Sequence, residues 1–270
     1  MTRIRTALFV PSSNARALEK ARELPCDAVI LDLEDAVAPQ EKAAARDALA
    51  HAVAARAVGG RVTVVRINAL TSYEGVADIK AAAGADAILL PKVGGAADLA
   101  AARLLAPGKT FWAMIETPRA VLALNDIAAG GASALVLGAN DLLKEMGGRH
   151  RPDRANLHFA MGALVTAARA NGALALDSVH NDINDAEGFA AACALARDFG
   201  FDGKTLIHPS QIEGCRAAFA PTPDEIVEAR ALLAEFRKSE NQGRGVIAFR
   251  GRMVERLHAE MAQRLLDEAT

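Results

Sequence analysis

Residues 28–66 contain the most informative pattern of the chain: an apolar run AVILD (28–32), a stretch of helical composition (39–56) and a second apolar run VTVVR (62–66). Runs that are apolar almost throughout are typical of strands buried on both faces, as in parallel sheets covered by helices. Further runs follow the same rhythm at residues 6–10, 87–91, 111–115, 134–138, 173–177 and 203–207. Strand–helix alternation repeated eight times in about 240 residues predicts an α/β protein with a (β/α)8 TIM barrel.

A doubly wound open sheet is the alternative fold for this alternation. A dinucleotide-binding sheet of that kind carries a glycine-rich phosphate loop after its first strand. No such loop follows residues 6–10. The barrel is therefore the preferred interpretation.

The C-terminal part of the chain lies outside the eightfold repeat. After a helical stretch over 223–237, the polar segment KSENQGRG (238–245) interrupts the pattern. A short apolar run (246–249) and a helix predicted over 253–268 follow. We therefore divide the chain into a catalytic barrel domain, residues 1–237, and a C-terminal lid or oligomerisation segment, residues 238–270. A helix that docks on its own barrel is the alternative for the segment.

The composition excludes several classes of protein. With 51% hydrophobic and 24% charged residues, the 270-residue chain is typical of a soluble globular protein. Aromatic residues make up 4% and the net charge is −2, so we expect no nucleic-acid partner. No stretch approaches the ~18 apolar residues of a membrane-spanning helix, and no signal peptide is expected. Cys26, Cys193 and Cys215 show no metal or redox spacing, which predicts buried or incidental thiols in a cytoplasmic protein.

Polar residues close most of the predicted strands. In a barrel of this kind, catalytic groups lie at the carboxyl ends of the strands, which meet at one mouth. The residues at these positions are Asp32, Glu34, Asp35, Arg66, Lys92, Glu116, Asp141, Asp177 and His208. Together they predict a polar pocket rich in carboxylates.

Glu116 and Asp141 follow adjacent predicted strands, so both carboxylates can approach one ion. Two carboxylates, with waters and substrate oxygens completing an octahedron, are how proteins usually hold Mg²⁺. The alternative is that each carboxylate caps a helix, and Glu116-Thr-Pro is typical of a helix start. Lys92 as a Schiff-base lysine is a further interpretation, which a metal centre makes unnecessary.

Arg66 ends a very apolar strand, where an unpaired charge is costly. It therefore requires an anion, either an acidic side chain or an oxyanion of the substrate. Asp32, Glu34 and Asp35 are the acidic candidates, and they would fix Arg66 or orient waters of the metal. Capping of the following helix is the alternative role for these acids.

Seven motifs, in order, resemble one known family. They are RTALFVP (5–11), DAVILDLEDAV (27–37), VRIN (65–68), LPKV (90–93), MIET (114–117), GANDL (138–142) and GFDGKTLIHP (200–209). The chain is similar along essentially its whole length to the citrate lyase β-subunit-like, or acyl-CoA lyase, family of the aldolase/citrate lyase superfamily.

The resemblance implies a barrel with Mg²⁺ held by Glu116 and Asp141, and a substrate contact from Arg66. It also implies a homotrimer or hexamer in which the C-terminal segment of one subunit reaches over a neighbour's active site. Residues 251–255, GRMVE, match the motif that supplies an acid–base carboxylate there, with Glu255 in place of the usual Asp. Two further departures are Ser12 and Gly94, where the family commonly has Gly and Glu.

The activity implied is Mg²⁺-dependent retro-Claisen cleavage of a β-hydroxyacyl-CoA (citramalyl-, malyl- or citryl-CoA) to acetyl-CoA and a keto acid. Arg66 and Glu255, supported by Glu34 and Asp35, would form the catalytic set. The CoA phosphates would contact Arg5, Arg16 and Lys20. Three alternatives stay open: a β subunit of a multi-chain citrate lyase acting on an acyl-carrier-protein thioester, a pyruvate-type class II aldolase without CoA, and a weakly catalytic CoA-binding protein.

Overall fold

The computed structural model describes residues 3–54 and 58–269. Eight parallel strands close into a barrel in chain order, which confirms the predicted fold. The strands are β1 (Thr6–Pro11), β2 (Ala28–Asp32), β3 (Val62–Arg66), β4 (Ala87–Leu90), β5 (Thr110–Ile115), β6 (Ala134–Leu137), β7 (Leu174–Asp177) and β8 (Gly203–Leu206). Each coincides, within a residue or so at its ends, with an apolar run of the sequence.

Ten helices connect or follow these strands in the described part of the chain. They are α1 (Ala15–Ala21), α2 (Lys42–Ala54), α3 (Tyr73–Ala81), α4 (Ala96–Leu105), α5 (Pro118–Leu122), α6 (Leu124–Ala129), α7 (Ala139–Met146), α8 (His158–Asn171), α9 (Ala186–Phe199) and α10 (Gln211–Phe219). The side chains of Asn14, Ser72, Thr117 and Asp185 each accept a hydrogen bond from the backbone N–H three residues later, and so begin a helix. Within residues 3–54 and 58–269, no helix is both long and apolar enough to cross a membrane.

Two apolar cores flank the barrel wall, because side chains alternate between the two faces of each strand. The core inside the barrel is built from Ile4, Ala7, Ala28, Ile30, Val64, Ala87, Leu89, Trp112, Met114, Ala134, Val136 and Leu176. Two positions beyond Ile30, Val64 and Met114, the same alternation places Asp32, Arg66 and Glu116 at the top of the lumen. The mouth is therefore the polar end of an otherwise apolar interior.

The second core lies between the outer face of the strands and the helices. On β7 and β8, the positions that face this layer include Ala175 and Leu206. By the same alternation, Asp177 and Lys204 also point away from the lumen. Cys26, Cys193 and Cys215 are buried free cysteines, as predicted.

The chain divides into two compact units, residues 1–219 and 220–270. The second unit contains α11 (Pro223–Phe236), β9 (Val246–Phe249), β10 (Arg252–Glu255) and α12 (Arg256–Ala269). The boundary thus precedes α11, whereas the sequence suggested one after it, because α11 shares a small core with α12 and the two strands. The predicted lid or oligomerisation role of residues 238–270 stays a prediction.

The helix predicted over 253–268 begins later than expected. Residues 252–255 form β10, which pairs antiparallel with β9 through the register Met253–Ala248 and Val254–Ile247. The turn between the strands uses left-handed backbone at Arg250 and Gly251 (φ 47° and 75°). The helix prediction was wrong for the first three residues because strand pairing overrides local helical preference.

Candidate active site

Arg66 and Asp32 form a buried ion pair at the mouth of the barrel. They are register partners on β3 and β2, so their side chains leave the sheet side by side. The guanidinium binds the carboxylate through two bonds, Nε–Oδ1 at 2.7 Å and Nη2–Oδ2 at 2.6 Å. This fork geometry fixes the orientation of Arg66 as well as its charge.

The third guanidinium nitrogen of Arg66 faces two further acids. Its Nη1 lies 2.9 Å from Oε2 of Glu34 and 3.4 Å from Oδ2 of Asp35, and the ring of Phe9 lies 4.8 Å below the guanidinium carbon. Burial lowers the pKa of Arg66, but Asp32, Glu34 and Asp35 outweigh this effect and raise it. The pKa of Glu34 is raised to about 8, mainly by burial, although Arg66 opposes the shift.

The loop that carries Glu34 is held in place by backbone contacts. The Asp32 carboxylate accepts hydrogen bonds from the N–H groups of Glu34 and Ala36, at 2.9 and 3.1 Å. The ammonium of Lys42 donates to the carbonyl oxygens of Leu33 and Glu34, both at 3.0 Å. Asp32 therefore both pairs with Arg66 and shapes the loop that follows β2.

Glu116 and Asp141 approach one cation, the ammonium of Lys92. Its Nζ lies 2.7 Å from Oδ1 of Asp141 and 3.6 Å from Oε1 of Glu116. Glu116 also accepts the backbone N–H of Lys92 at 2.7 Å, and Lys92 adopts left-handed backbone (φ 53°). Burial raises the pKa of Glu116, while the Lys92 N–H and ammonium oppose the shift.

Lys92 is a charged partner of these acids. Burial lowers the pKa of its ammonium, but the hydrogen bond to Asp141 and the charge of Glu116 outweigh burial and raise the pKa. A Schiff-base lysine needs the opposite shift, because the neutral amine is the nucleophile. The electrostatics thus disfavour that interpretation.

Gly138 makes room for the Glu116 carboxylate. A Cβ at this position would lie 2.5 Å from Cβ and 2.9 Å from Oε2 of Glu116, closer than atoms pack. Gly138 continues the lumen-facing alternation of β6 after Val136, and α7 begins directly after it with Asp141 in its first turn. Because Gly138 has no side chain, the Glu116 carboxylate fits beside the beginning of α7, close to Asp141.

This donor set fits a hard divalent cation. Glu116 and Asp141 both lie within reach of one positive charge, the ammonium of Lys92. Mg²⁺ usually takes one or two protein carboxylates and completes its octahedron with water and substrate oxygens. Across the described residues, no three His, Cys, Asp or Glu side chains gather to hold a metal ion by themselves.

A cavity of about 200 Å³ opens between these groups. Four of the predicted site residues line it, namely Asp35, Arg66, Glu116 and Asp141. Its remaining lining comes from Phe9, Met114, Leu137, Gly138, Ala139, Asn140, Ser178, Val179, Asn181, Thr205 and Ile207.

The other predicted residues lie elsewhere. Arg5 precedes β1 at the amino-terminal end of the barrel, opposite the mouth, whereas Arg16 and Lys20 are exposed on α1, which follows β1. Glu255 ends β10 in the second unit, where its side chain is exposed and its N–H donates to Nδ1 of His258 at 3.0 Å.

A second buried charge cluster, formed by Asp177, Lys204 and Arg154, was not predicted from the sequence. Asp177 and Lys204 were visible at or near strand ends, and their register on β7 and β8 makes them neighbours. Arg154 gave no signal, because it comes from the loop between α7 and α8 and reaches the cluster only in the folded chain.

Comparison with known proteins gives the family. A sequence model of the HpcH/HpaI aldolase/citrate lyase family matches residues 5–209. The chain is 46% identical to a (3S)-malyl-CoA thioesterase of Cereibacter sphaeroides, covering 98% of this chain and 94% of that protein. It is 35% identical to the citrate lyase subunit beta of Haemophilus influenzae, covering 98% and 96%.

A solved structure shows the same architecture. The crystal structure of CitE from Mycobacterium tuberculosis, in complex with magnesium, acetoacetate and coenzyme A, matches with a TM-score of 0.84 and 36% identity, over 99% of this chain and 98% of that one. The chain is thus an enzyme of the barrel class. It belongs to the HpcH/HpaI aldolase/citrate lyase family, which confirms the resemblance of its motifs.

Proposed function

We propose that this protein is a Mg²⁺-dependent carbon–carbon lyase that cleaves a β-hydroxyacyl-CoA of the malyl, citramalyl or citryl type to acetyl-CoA and a 2-oxo acid. The observation that supports this most directly is one cavity lined by an anchored arginine, Arg66, and by two carboxylates, Glu116 and Asp141, that close on a single cation. The relatives named above are a (3S)-malyl-CoA thioesterase, a citrate lyase subunit beta, and a CitE that binds magnesium, acetoacetate and coenzyme A, all of which fit this proposal.

Retro-Claisen cleavage needs a base for the β-hydroxyl proton and a positive charge for the departing enolate. Glu116 and Asp141 would hold Mg²⁺, which supplies charge for the hydroxyl and carboxylate oxygens of the substrate. Arg66 would face the thioester oxygen, where negative charge develops as the carbon–carbon bond breaks and the enolate forms. The fixed Arg66–Asp32 pair means that this donor needs no reorientation during the reaction. Proton return to the enolate carbon then completes the acetyl group.

Glu255 of a neighbouring subunit is our candidate for the base, in a homotrimer or hexamer. Glu34 and Asp35 would support Arg66 by holding its third nitrogen. For the CoA phosphates we propose Arg16 and Lys20, whose side chains are exposed beyond β1. Arg5 begins at the far end of the barrel, so it suits only a part of CoA that extends along the outer wall.

Thioester hydrolysis is a second candidate, favoured by the 46% identity to a (3S)-malyl-CoA thioesterase. The same Arg66 would stabilise the oxyanion formed when water attacks the thioester carbon. The two reactions release different products: cleavage gives acetyl-CoA and a 2-oxo acid, whereas hydrolysis gives the free acid and CoA with a free thiol.

Product analysis tests the proposal. The purified protein is incubated with malyl-, citramalyl- and citryl-CoA in the presence of Mg²⁺, and acetyl-CoA and free thiol are measured. We expect acetyl-CoA, and its loss on addition of EDTA. Free thiol without acetyl-CoA would make the protein a hydrolase. If no CoA ester is turned over, cleavage of an acyl-carrier-protein ester would make it a citrate lyase β subunit, and cleavage of a free 4-hydroxy-2-oxo acid a class II aldolase.

Subunit mixing tests the role of Glu255. Glu116→Ala and Glu255→Gln chains should each be nearly inactive. After subunit exchange, mixed oligomers should recover part of the activity, because some sites would combine an intact mouth with an intact Glu255. A mixture that stays inactive despite proven exchange contradicts a base supplied by a neighbour.

A further inference from the structure

A second cavity adjoins the mouth on the side of β7 and β8. Its volume is about 410 Å³, twice that of the mouth cavity. Five residues line both spaces, namely Ala139, Asn140, Ser178, Val179 and Asn181. Asn140 and Asn181 exchange amide hydrogen bonds, Nδ2–Oδ1 at 3.2 and 2.9 Å. The outer cavity is therefore next to the mouth, beside a pair of exposed amide side chains.

A buried cluster with an excess of one positive charge forms part of the wall of the outer cavity. Asp177, fully buried, lies 2.6 Å from the ammonium of Lys204 and 2.6 and 2.9 Å from the two guanidinium nitrogens of Arg154. Lys204 is 1% exposed, and both cations line the cavity. Two cations share one carboxylate, so the cluster has a net charge of +1 in a region of low dielectric constant.

Other charged groups do not neutralise this cluster directly. Within residues 3–54 and 58–269, Arg154 and Lys204 form ion pairs with no acid except Asp177. The cavity is also lined by Asp182 and Asp185, which are exposed and accept backbone N–H groups of their own loop and helix. Arg151, on the same rim, is already paired with Asp153 at 2.7 Å.

We propose that the outer cavity binds a second carboxylate of the substrate, carried on the β-carbon through a methylene group, with Arg154 and Lys204 supplying the complementary charge. This inference rests on the proposed function, because the acid portion of the substrate must first be held in the mouth. The arm would enter beside the Asn140–Asn181 amide pair, where the two cavities share their lining. Malyl, citramalyl and citryl esters carry a hydrogen, a methyl and a carboxymethyl group on that carbon, so the enzyme accepts substrates whose oxo-acid product has two carboxylates.

Binding of the two oxo acids alone tests this without turnover. Pyruvate and oxaloacetate share the metal-chelating group and differ by one carboxylate, so their dissociation constants are compared by calorimetry with Mg²⁺ present. We expect oxaloacetate to bind about tenfold more tightly, which is the scale of one charge-assisted contact. Equal affinities overturn the inference but leave the proposed function intact. Failure of both acids to bind overturns the Mg²⁺ site and the inference with it.

Two variants locate the effect. Arg154→Gln should remove the preference for oxaloacetate, while the affinity for pyruvate stays within about twofold. The control is Arg169→Gln, which breaks a similar ion pair with two hydrogen bonds, to Asp202, outside both cavities. Asn181→Phe, at an exposed position, should also remove the preference by filling the space where the two cavities adjoin. Its control is Asn171→Phe in the amide pair with Asn125. A preference retained in both Arg154→Gln and Asn181→Phe contradicts the inference.

Discussion

Two charge clusters of opposite sign lie at and beside the mouth of this barrel, and each contains a buried acid–base pair from adjacent strands. Asp32–Arg66 on β2–β3 and Asp177–Lys204 on β7–β8 are pairs of register partners on adjacent parallel strands. The first points into the lumen and the second into the layer between strands and helices. Parallel register thus places an acidic residue next to a basic one on the neighbouring strand. Whether the pair lines the lumen or the outer layer depends on which face of the sheet the two side chains point to.

The two clusters differ in their excess charge. Arg66 faces three acidic side chains, of which Glu34 has a pKa raised to about 8, whereas Asp177 faces two cations. An excess of acid suits a site that works beside a divalent cation, and an excess of base suits one that meets an anion. Substitutions in the two clusters should therefore have different consequences.

The largest effect is expected for Asp177→Asn. The substitution leaves Lys204 and Arg154 buried without a countercharge, which typically costs 3–5 kcal/mol of stability. Asp32→Asn is the matched comparison and should cost less, because Arg66 keeps Glu34 at 2.9 Å. Urea unfolding measures both free energies. A loss for Asp177→Asn no larger than that for Asp32→Asn contradicts the assigned difference between the clusters.

Arg66→Lys keeps the charge of the lumen cluster but loses the planar fork. Because the developing oxyanion would lose a fixed donor, kcat should fall by about 10²–10³, with a smaller change in KM. Steady-state kinetics with the best CoA ester measures this split. Arg169→Lys, on the outer surface, is the control, and an unchanged kcat for Arg66→Lys excludes the proposed role.

Asp141→Asn tests the acidic side of the mouth. Loss of an outer contact to a metal commonly weakens affinity 10–100-fold, so loss of a direct carboxylate should weaken Mg²⁺ binding by about 100-fold. The fold should persist, because Asp141 is partly exposed in the first turn of α7. Calorimetric titration with Mg²⁺ measures the change. Asp126→Asn in the first turn of α6 is the control, and wild-type Mg²⁺ affinity in Asp141→Asn refutes the assignment.

Low pH should lower the free energy of unfolding, because it protonates Asp177 in its cluster with Lys204 and Arg154. The pKa of Asp177 is about 2 against an ordinary value of 3.8: burial raises it, and Lys204 and Arg154 more than offset burial. The stabilisation is therefore present above the unfolded-state value and lost as the pH falls through 2, by roughly 2 kcal/mol. Urea unfolding between pH 5 and pH 2 should show this loss in the wild type and a smaller one in Asp177→Asn. If the free energies of unfolding of the wild type and Asp177→Asn fall by the same amount over this range, Asp177 is not the group responsible.

The smallest effect concerns a buried serine beside each cluster. Ser12, whose N–H donates to the carbonyl of Asp32, has a buried hydroxyl without a hydrogen-bond partner among the described residues. Ser12→Ala should therefore raise the free energy of unfolding by about 0.5–1 kcal/mol. Ser178→Ala should lower it, because the Ser178 hydroxyl accepts a hydrogen bond from Arg154 at 3.1 Å. Thermal unfolding of the pair gives the two signs, and a loss in Ser12→Ala contradicts the prediction.

The barrel and the lumen side of its mouth were predictable because both follow from local patterns. Apolar runs predicted the eight strands, and the convergence of their carboxyl ends at one mouth predicted a shared site for Arg66, Glu116 and Asp141. The beginning of the last helix was not predictable, since residues 252–255 take their conformation from pairing with β9. The pairing of two strands depends on both segments, so the sequence of one segment alone does not predict it.

The amino-acid sequence alone was enough to give the strand order of one barrel, the family motifs and the polar residues that end the strands. How the charges combine depends on the folded chain: Lys92 bridges Glu116 and Asp141, and Arg154 from a distant loop joins Asp177 and Lys204. The physical reason is that the energy of a buried charge depends on the counterions within a few ångströms. Those neighbours come from register and loop closure, which spacing along the chain does not encode.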